Sequence, residues 1–167
     1  MRERRESTLA DRRAREFEAF VAGAGGRLLH VATLLTAESP GHSPEAQRLL
    51  VGALAEMYAE WDRRRDEDPY DRTRQELVTR FARSAWRLRR RARTWDAGAD
   101  AGVLVRLVPQ ERLVVVLRLY EGVPEEQTAA LLGLPVERVR AIGTRAVSVL
   151  RSTRPPRLRA PTWRDAS

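Results

Sequence analysis

Apolar side chains recur every three or four residues along most of this chain, and that spacing limits its fold more than any other feature. Residues three and four apart lie on one face of an α-helix, so each such series predicts an amphipathic helix. The series fall within residues 17–35, 46–61 and 77–88, and again after Pro109. The run Leu113–Leu117 also has strand propensity, but the sequence offers no second strand to pair with it. We therefore predict an all-α fold.

Turn signals predict the starts of two helices, and a linker divides the helices into two groups. Ser43-Pro44 and Asp68-Pro69 each place a capping side chain before a proline that suits the first helical position. The small residues between Asp96 and Gly102 have no helical period and predict a linker that reaches at most ~25 Å. The predicted order is a helical domain over residues 11–95, a linker over 96–102, a second helical domain over 103–152 and a basic flexible tail over 153–167.

The positive charge of the chain is concentrated in two blocks. All 31 basic residues are arginine, and the net charge is +8. Residues 77–95 hold seven arginines and residues 138–164 hold eight, and neither block contains a carboxylate. Arginine grips a phosphate or a guanine through two hydrogen bonds in a fixed geometry. The distribution therefore predicts a polyanionic partner.

Several classes of chemistry are excluded by what the chain lacks. Without cysteine it has no disulfide, no Cys-ligated metal site and no thiol nucleophile. His30 and His42 have no catalytic partner in the pattern, and Gly23–Gly26 lacks the strand that precedes a phosphate-binding loop. We expect neither an enzyme nor a bound cofactor or metal. We expect no apolar stretch to approach the ~20 residues of a membrane span, and the charged N-terminus is unlike a signal peptide. We therefore expect a cytoplasmic protein without membrane contact.

The most informative pattern lies in residues 120–152. It predicts a helix stopped by Gly122, a short helix over 124–132, a second glycine stop at Gly133 and a final helix over 135–152. Two helices joined by a short glycine-containing turn form a helix-turn-helix, whose second helix enters the major groove of DNA. An ordinary helical hairpin with a solvated basic face is the alternative. The outward face of the final helix carries the candidate DNA-reading residues Glu137, Arg138, Arg140, Ala141, Thr144 and Arg145.

Motifs in the second domain carry a family resemblance. Leu107–Arg112 and Val115–Gly122 are similar to L-P-x-x-x-R followed by a helix that ends in Y-x-E-G. Gln127–Gly133 is similar to E-I-A-x-x-L-G, and Arg145–Arg151 to R-A-x-x-x-L-R. Together these motifs resemble region four of the extracytoplasmic-function (ECF) group of bacterial sigma factors, the small actinobacterial members above all.

In the first domain, Leu54–Trp61 and Phe81–Arg91 resemble two successive helices of region two of the same family. The resemblance implies a region-two-like helical bundle and a region-four-like helix-turn-helix domain, joined by a short linker. It implies an RNA polymerase sigma factor that binds core RNA polymerase and promoter DNA. In this family, region two docks on the polymerase clamp and recognises the opened −10 element, whereas region four reads the −35 element as duplex DNA.

The resemblance also assigns candidate residues in the first domain. For binding and melting the −10 element it points to Arg74, Arg80, Arg83, Trp86, Arg87 and Arg90. Trp86 suits this task because a flipped base stacks on an aromatic ring while its phosphate pairs with a guanidinium. For polymerase binding it points to Arg48, Val51, Gly52 and Glu56. Arg48 and Val51 stand where the family typically has an acidic and amide pair, so this contact is expected to be weakened or rebuilt.

Two alternatives stay open on the sequence alone. Because region two departs from the family pattern, the chain could be a degenerate sigma-like regulator that needs a helper protein. A stand-alone helix-turn-helix regulator would explain residues 124–151 but leave the first domain without a role. An anti-sigma factor is a further candidate partner, although nothing in the sequence demands one.

In the last helix, Pro135 replaces the family's usual serine cap, and Glu137 is able to accept a hydrogen bond from cytosine.

Overall fold

The computed structural model describes residues 2–63, 65–91 and 102–152, and within them the side chains of residues 7–63, 65–85 and 102–152. The helices in these residues are α1 (Arg2–Thr36), α2 (Pro44–Glu60), α3 (Pro69–Arg91), α4 (Pro109–Val115), α5 (Glu125–Leu132) and α6 (Val136–Ser152). A 3₁₀ turn, Val103–Arg106, precedes α4, and a π-helical turn, Val116–Tyr120, extends it. The all-α prediction is confirmed. The predicted tail over 153–167, and the linker over 96–102 apart from Gly102, lie outside the described residues.

The first three helices form a bundle around a common apolar core. α1 packs along α2, and α3 packs against both. The predicted apolar faces are the buried ones: Leu28, Val31, Ala32 and Leu35 of α1, Ala46, Leu49, Leu50 and Ala53 of α2, and Leu77, Val78, Phe81 and Ala85 of α3. Farther along α1, the ring of Phe17 lies 5.0 Å from that of Tyr58 and 5.2 Å from that of Trp61, between centroids. Burial of these faces stabilises α1 even though three glycines lower its intrinsic helix propensity.

The start of α2 is capped by a residue other than the predicted one. Ser43 occupies the N-cap position, but its side chain makes no capping hydrogen bond. Instead, the carboxylate of Glu38 accepts hydrogen bonds from the backbone N–H groups of Glu45 at 3.1 Å and Ala46 at 2.8 Å. The second predicted cap is confirmed, since Asp68 accepts a hydrogen bond of 2.7 Å from the second residue of α3.

Glu38→Ala is expected to lower the free energy of unfolding by about 1–2 kcal/mol, because two donors at the start of α2 lose their acceptor. Ser43→Ala is the matched control, and it is expected to cost less than half as much. Urea unfolding followed by far-UV circular dichroism measures both changes. A larger loss for the serine variant would contradict the capping role given to Glu38.

One stretch of α1 requires a correction to the sequence analysis. Ser7–Thr36 is long and apolar enough, by length and composition, to cross a membrane, so the expectation that no stretch approaches this length is wrong. Alanine between the larger apolar residues raises its mean hydropathy, while the interspersed glycine, threonine, arginine and histidine prevent a continuous apolar run. The same property belongs to core helices of soluble proteins. Here 33% of the apolar window is buried, including Leu28, Val31 and Leu35 with an exposed fraction of 0%, so packing in the bundle accounts for part of the apolar character of α1.

The second half of the chain, residues 102–152, packs directly on the first half, residues 2–91. α4 contacts both α1 and α3, and the π-helical turn contacts α1. Four residues of the second half belong to the same buried cluster as the bundle core: Leu113, Val116, Leu117 and Val123. The predicted helical conformation of Leu113–Leu117 is confirmed, and its burial explains the strongly apolar sequence. The two predicted domains therefore share a core in this structure.

Candidate nucleic-acid interface

Helices α5 and α6 form the predicted helix-turn-helix. α5 ends at Leu132, and Gly133 follows in the left-handed conformation with a φ of 63°, which glycine adopts without strain. Ala129 of α5 is buried in one cluster with Val139 and Ile142 of α6, and Val114 of α4 completes it. The small side chain of Ala129 suits close approach of the two helices, as predicted. α4 also packs along α6 and so fixes its direction.

The outward face of α6 carries every residue predicted to read DNA. All six are exposed: Glu137, Arg138, Arg140, Ala141, Thr144 and Arg145. The opposite face is anchored by Val139, Ile142 and Ala146, which are buried. α6 therefore presents a cationic surface on a firmly packed helix, which is how a recognition helix reaches base edges and phosphates.

Two of these arginines are held by carboxylates of the same half. Arg140 Nη2 donates to Glu125 Oε2 at 2.9 Å, and this hydrogen bond raises the pKa of Arg140. Arg145 Nε lies 3.1 Å from Glu111 Oε1. The side chains of Arg140 and Arg145 nevertheless stay 62% and 78% exposed. Because a guanidinium has five N–H donors, each arginine keeps donors that are free to bind a further partner while the carboxylate orients it.

Glu111 is a positioning residue that sequence reasoning missed. It is only 5% exposed. Its Oε2 accepts the backbone N–H of Val108 at 3.0 Å, while its Oε1 faces Arg145. Glu111 therefore ties the start of α4 to α6. The available signal is its place three positions after Val108, where glutamate commonly caps a helix.

The structure separates the arginines predicted to act on the −10 element. Arg83 is exposed on α3. Arg74 is only 13% exposed and forms ion pairs with Glu121 at 3.1 Å and Asp71 at 3.0 Å. Arg80 is partly buried, and its guanidinium points towards α2. The side chains of Trp86, Arg87 and Arg90 lie outside the part of the chain whose side chains are described.

Arg80 and the predicted polymerase-binding residues meet on α2. Arg48, Val51 and Glu56 are exposed on this helix, and Gly52 is half-buried. A Cβ atom on Gly52 would lie 2.8 Å from Arg80 Nη1, so the bare backbone makes room for the guanidinium. Arg80 Nε pairs with Glu76 of α3 at 2.7 Å, while its Nη2 lies 3.8 Å from Glu56 of α2. The structure therefore brings Arg80 to the α2 surface rather than to the other arginines of α3.

Both histidines lie at the surface of the described residues. His42 is exposed in the turn before α2, and His30 is exposed with its ring centroid 5.1 Å from that of Tyr120. Among the described residues, no group of three or more His, Asp or Glu side chains is placed to hold a metal ion.

Comparison with known proteins identifies the family. The family model "Sigma-70, region 4" matches residues 103–152, the segment that contains α4 and the helix-turn-helix. The RNA polymerase sigma-E factor of Streptomyces avermitilis is 30% identical over 153 residues, which cover 81% of this chain and 83% of that protein. The sigma-E factor of Streptomyces antibioticus is 33% identical over 132 residues, which cover 67% of this chain and 73% of that protein. The chain belongs to the ECF sigma factors.

The fold of this sigma factor agrees with that assignment. A solved structure of CnrH in complex with the cytosolic domain of CnrY superposes with a TM-score of 0.58 at 25% identity, covering 83% of this chain and 87% of that one. The relatives match across both halves, so a stand-alone helix-turn-helix regulator is set aside. Sigma factors are DNA-binding transcription regulators that act with core RNA polymerase at promoters, and their work is binding rather than catalysis.

Proposed function

We propose that this sigma factor directs initiation at chosen promoters by reading the −35 element with α6 and holding the opened −10 element with α3. The exposed face of α6 carries this proposal, because Arg138, Arg140 and Arg145 project from a helix whose other face is buried. A well-formed arginine fork on guanine contributes about 1–3 kcal/mol of discrimination between bases. On α3, exposed Arg83 precedes the segment with Trp86, the ring proposed to stack on a flipped base.

We further propose that the exposed surface of α2 binds core polymerase in the cytoplasm. Arg48 pairs with Glu45, and Val51 is 66% exposed one turn away. Arg80, lying over Gly52 beside Glu56, adds a cation where the family's acidic and amide pair is missing. The contact is therefore rebuilt with a different charge pattern, and we include Arg80 in it.

In vitro transcription tests this proposal directly. The purified chain is added to core polymerase and genomic fragments, with and without cellular extract. We expect discrete transcripts that depend on the chain and need no extract. Transcripts that form only with extract would favour the helper-dependent alternative. The absence of specific transcripts under both conditions would contradict the proposed function.

An apolar groove supports a second proposal, an anti-sigma partner. The groove has a volume of about 450 Å³ and is lined by His30 and Leu34 from α1 and by Val103, Leu119 and Tyr120 from the second half. The structural relative CnrH was solved in complex with the cytosolic domain of CnrY. We propose that an apolar segment of an inhibitory protein fills this groove. Because both halves line it, such a segment would favour their docked arrangement.

The same transcription assay tests the groove. Leu119 and Leu9 are 66% and 65% exposed, so glutamate at either site leaves the core intact. If the extract contains the inhibitor, it should reduce transcription by the natural chain and by Leu9→Glu but not by Leu119→Glu. Equal inhibition of all three proteins would contradict the groove as the binding site.

A further inference from the structure

We propose that Glu121 is the centre of an intramolecular latch that holds the sigma factor closed, with the −10 arginine Arg74 occupied by a carboxylate instead of DNA. This inference rests on the proposed function for the role of Arg74. The closed state rests only on the contacts that Glu121 makes with the first half. The closed state and the DNA-binding role of Arg74 can therefore be tested separately.

The latch consists of one buried acid from the second half and three donors from the first half. The side chain of Glu121 has an exposed fraction of 0%. Its Oε1 lies 3.1 Å from Arg27 Nη2 and accepts a hydrogen bond of 2.9 Å from the Tyr70 hydroxyl. Its Oε2 accepts a hydrogen bond of 3.1 Å from Arg74 Nη1. The cluster therefore spans α1, α3 and the end of the π-helical turn.

The protonation of the donors suits this arrangement. Burial, together with the hydrogen bond to Glu121, raises the pKa of Tyr70 well above its usual range, so the hydroxyl keeps the proton that it donates. Attraction to Glu121 raises the pKa of Arg27. A buried carboxylate is tolerated only when charged partners and hydrogen bonds replace its water, and here both oxygens have them.

The local backbone aims Glu121 at the first half. The N–H of Glu121 donates to the carbonyl of Val116 at 2.9 Å, an i→i+5 hydrogen bond that widens the last turn. Gly122 then reverses the chain with a φ of 68°. Single π-helical turns of this kind insert one extra residue and redirect the side chains that follow. Glu121 thus lies where three distant residues of the first half converge.

The closed state is incompatible with reading both promoter elements at once. α6 packs on α4 and α4 packs on α3, so α6 lies about two helix layers, or about 20 Å, from α3. Elements centred at −10 and −35 are about 25 base pairs apart, which is about 85 Å along B-form DNA. The chain between Arg91 and Val103 reaches at most ~43 Å when extended, which allows the halves to move well apart once the latch opens.

Opening the latch also releases a DNA-binding group. Arg74 is 13% exposed in the closed state, where the buried carboxylate of Glu121 and the 61% exposed carboxylate of Asp71 both pair with it, so opening removes the buried partner. A carboxylate and a phosphate offer a guanidinium the same two-oxygen geometry. Glu121 therefore competes with the phosphates of the −10 strand for Arg74. The pairing with Glu121 therefore has two effects in the closed state. It occupies Arg74, and it holds α6 too close to α3 for both promoter elements to be read at once.

Thiol labelling measures opening without DNA or polymerase. The chain has no cysteine, so Val116→Cys introduces one reporter. Val116 is 1% exposed in the core shared by both halves, so we expect a thiol there to react with a disulfide reagent only when the halves separate. Ala53→Cys is the control reporter, because α2 packs on α1 and α3 and reacts only on global unfolding.

In the Val116→Cys background, Glu121→Gln is expected to accelerate labelling about 10- to 100-fold, since charged hydrogen bonds to the carboxylate are lost. The rate at Ala53→Cys should change much less. Glu126→Gln, an exposed acid in α5, is the matched control and should leave both rates unchanged. Arg27→Gln is a milder second variant, because Arg27 is 56% exposed, and it should accelerate labelling in the same direction. If neither variant accelerates labelling at Val116→Cys, the latch is wrong.

A single-stranded −10 oligonucleotide separates the latch from the proposed function. Glu121→Gln should bind it at least tenfold more tightly than the natural chain, and adding Arg74→Gln should abolish that gain. Faster labelling without tighter binding would leave the latch standing and overturn the assignment of Arg74 to DNA.

Discussion

Arg140→Ala and Arg145→Ala are each expected to weaken binding to a cognate −35 duplex by about 5- to 150-fold, the equivalent of 1–3 kcal/mol for one arginine fork on a base. Binding to random duplex DNA should fall much less, because only phosphate attraction is lost there. Both side chains are exposed and oriented by carboxylates, Glu125 and Glu111, that the structure places beside them. Fluorescence anisotropy with both duplexes, over a series of salt concentrations, measures the two losses.

Two controls sharpen this measurement. Arg106→Ala removes an exposed arginine of the same half that lies outside the helix-turn-helix, and it should weaken both duplexes alike. Arg140→Ala leaves Glu125 unpaired and able to repel phosphate, so Glu125→Gln is added to separate that repulsion from the loss of the contact. Equal losses on cognate and random DNA would show that Arg140 and Arg145 touch only phosphate.

Phe81→Ala is expected to lower the free energy of unfolding by about 3–5 kcal/mol, because it leaves a cavity that the surrounding helices fill only in part. Phe81 is 0% exposed in the core shared by both halves. The Arg112 guanidinium lies 5.7 Å from its ring centroid. For a chain of this size the loss corresponds to a fall in Tm of about 6–20 °C. Urea and thermal unfolding measure it.

Phe17→Ala is the matched control for the core. Phe17 is half-buried in an aromatic group with Tyr58 and Trp61, away from the second half. We expect it to cost about 1–2 kcal/mol, from partial burial and lost ring contacts. If Phe81→Ala cost no more than Phe17→Ala, the shared core would not be the main source of stability.

The helices and the helix-turn-helix were predictable because their signals are local. Apolar spacing of three and four residues predicted α2, α3 and α6, and Gly133 predicted the turn before α6. Each of these features depends on neighbours within one or two helical turns. The starts of α5 and α6 differed from the prediction by one residue, and α2 began at Pro44 as predicted but with a different cap. At α2, the cap came from Glu38 rather than Ser43, because the chain reversal brings its carboxylate to the helix end.

The partners of individual charges were not predictable in the same way. Arg74 and Arg80 belong to one arginine series on α3, yet one pairs with Glu121 across the shared core and the other lies over Gly52. The sequence marks both as cationic and outside the main apolar face. The neighbour that each arginine contacts depends on how the helices pack, and the periodic pattern of the sequence does not specify that packing.

The sequence by itself determined the helices, the concentration of arginine and the exposed face of α6 that we propose to read DNA, because helical periodicity and glycine stops act between neighbouring residues. Only the tertiary structure decided that the two halves share a core and that Glu121 meets Arg27, Tyr70 and Arg74. Those donors lie 94, 51 and 47 residues away along the chain. Contacts over such separations are fixed by the packing of helix on helix, which a local pattern does not specify.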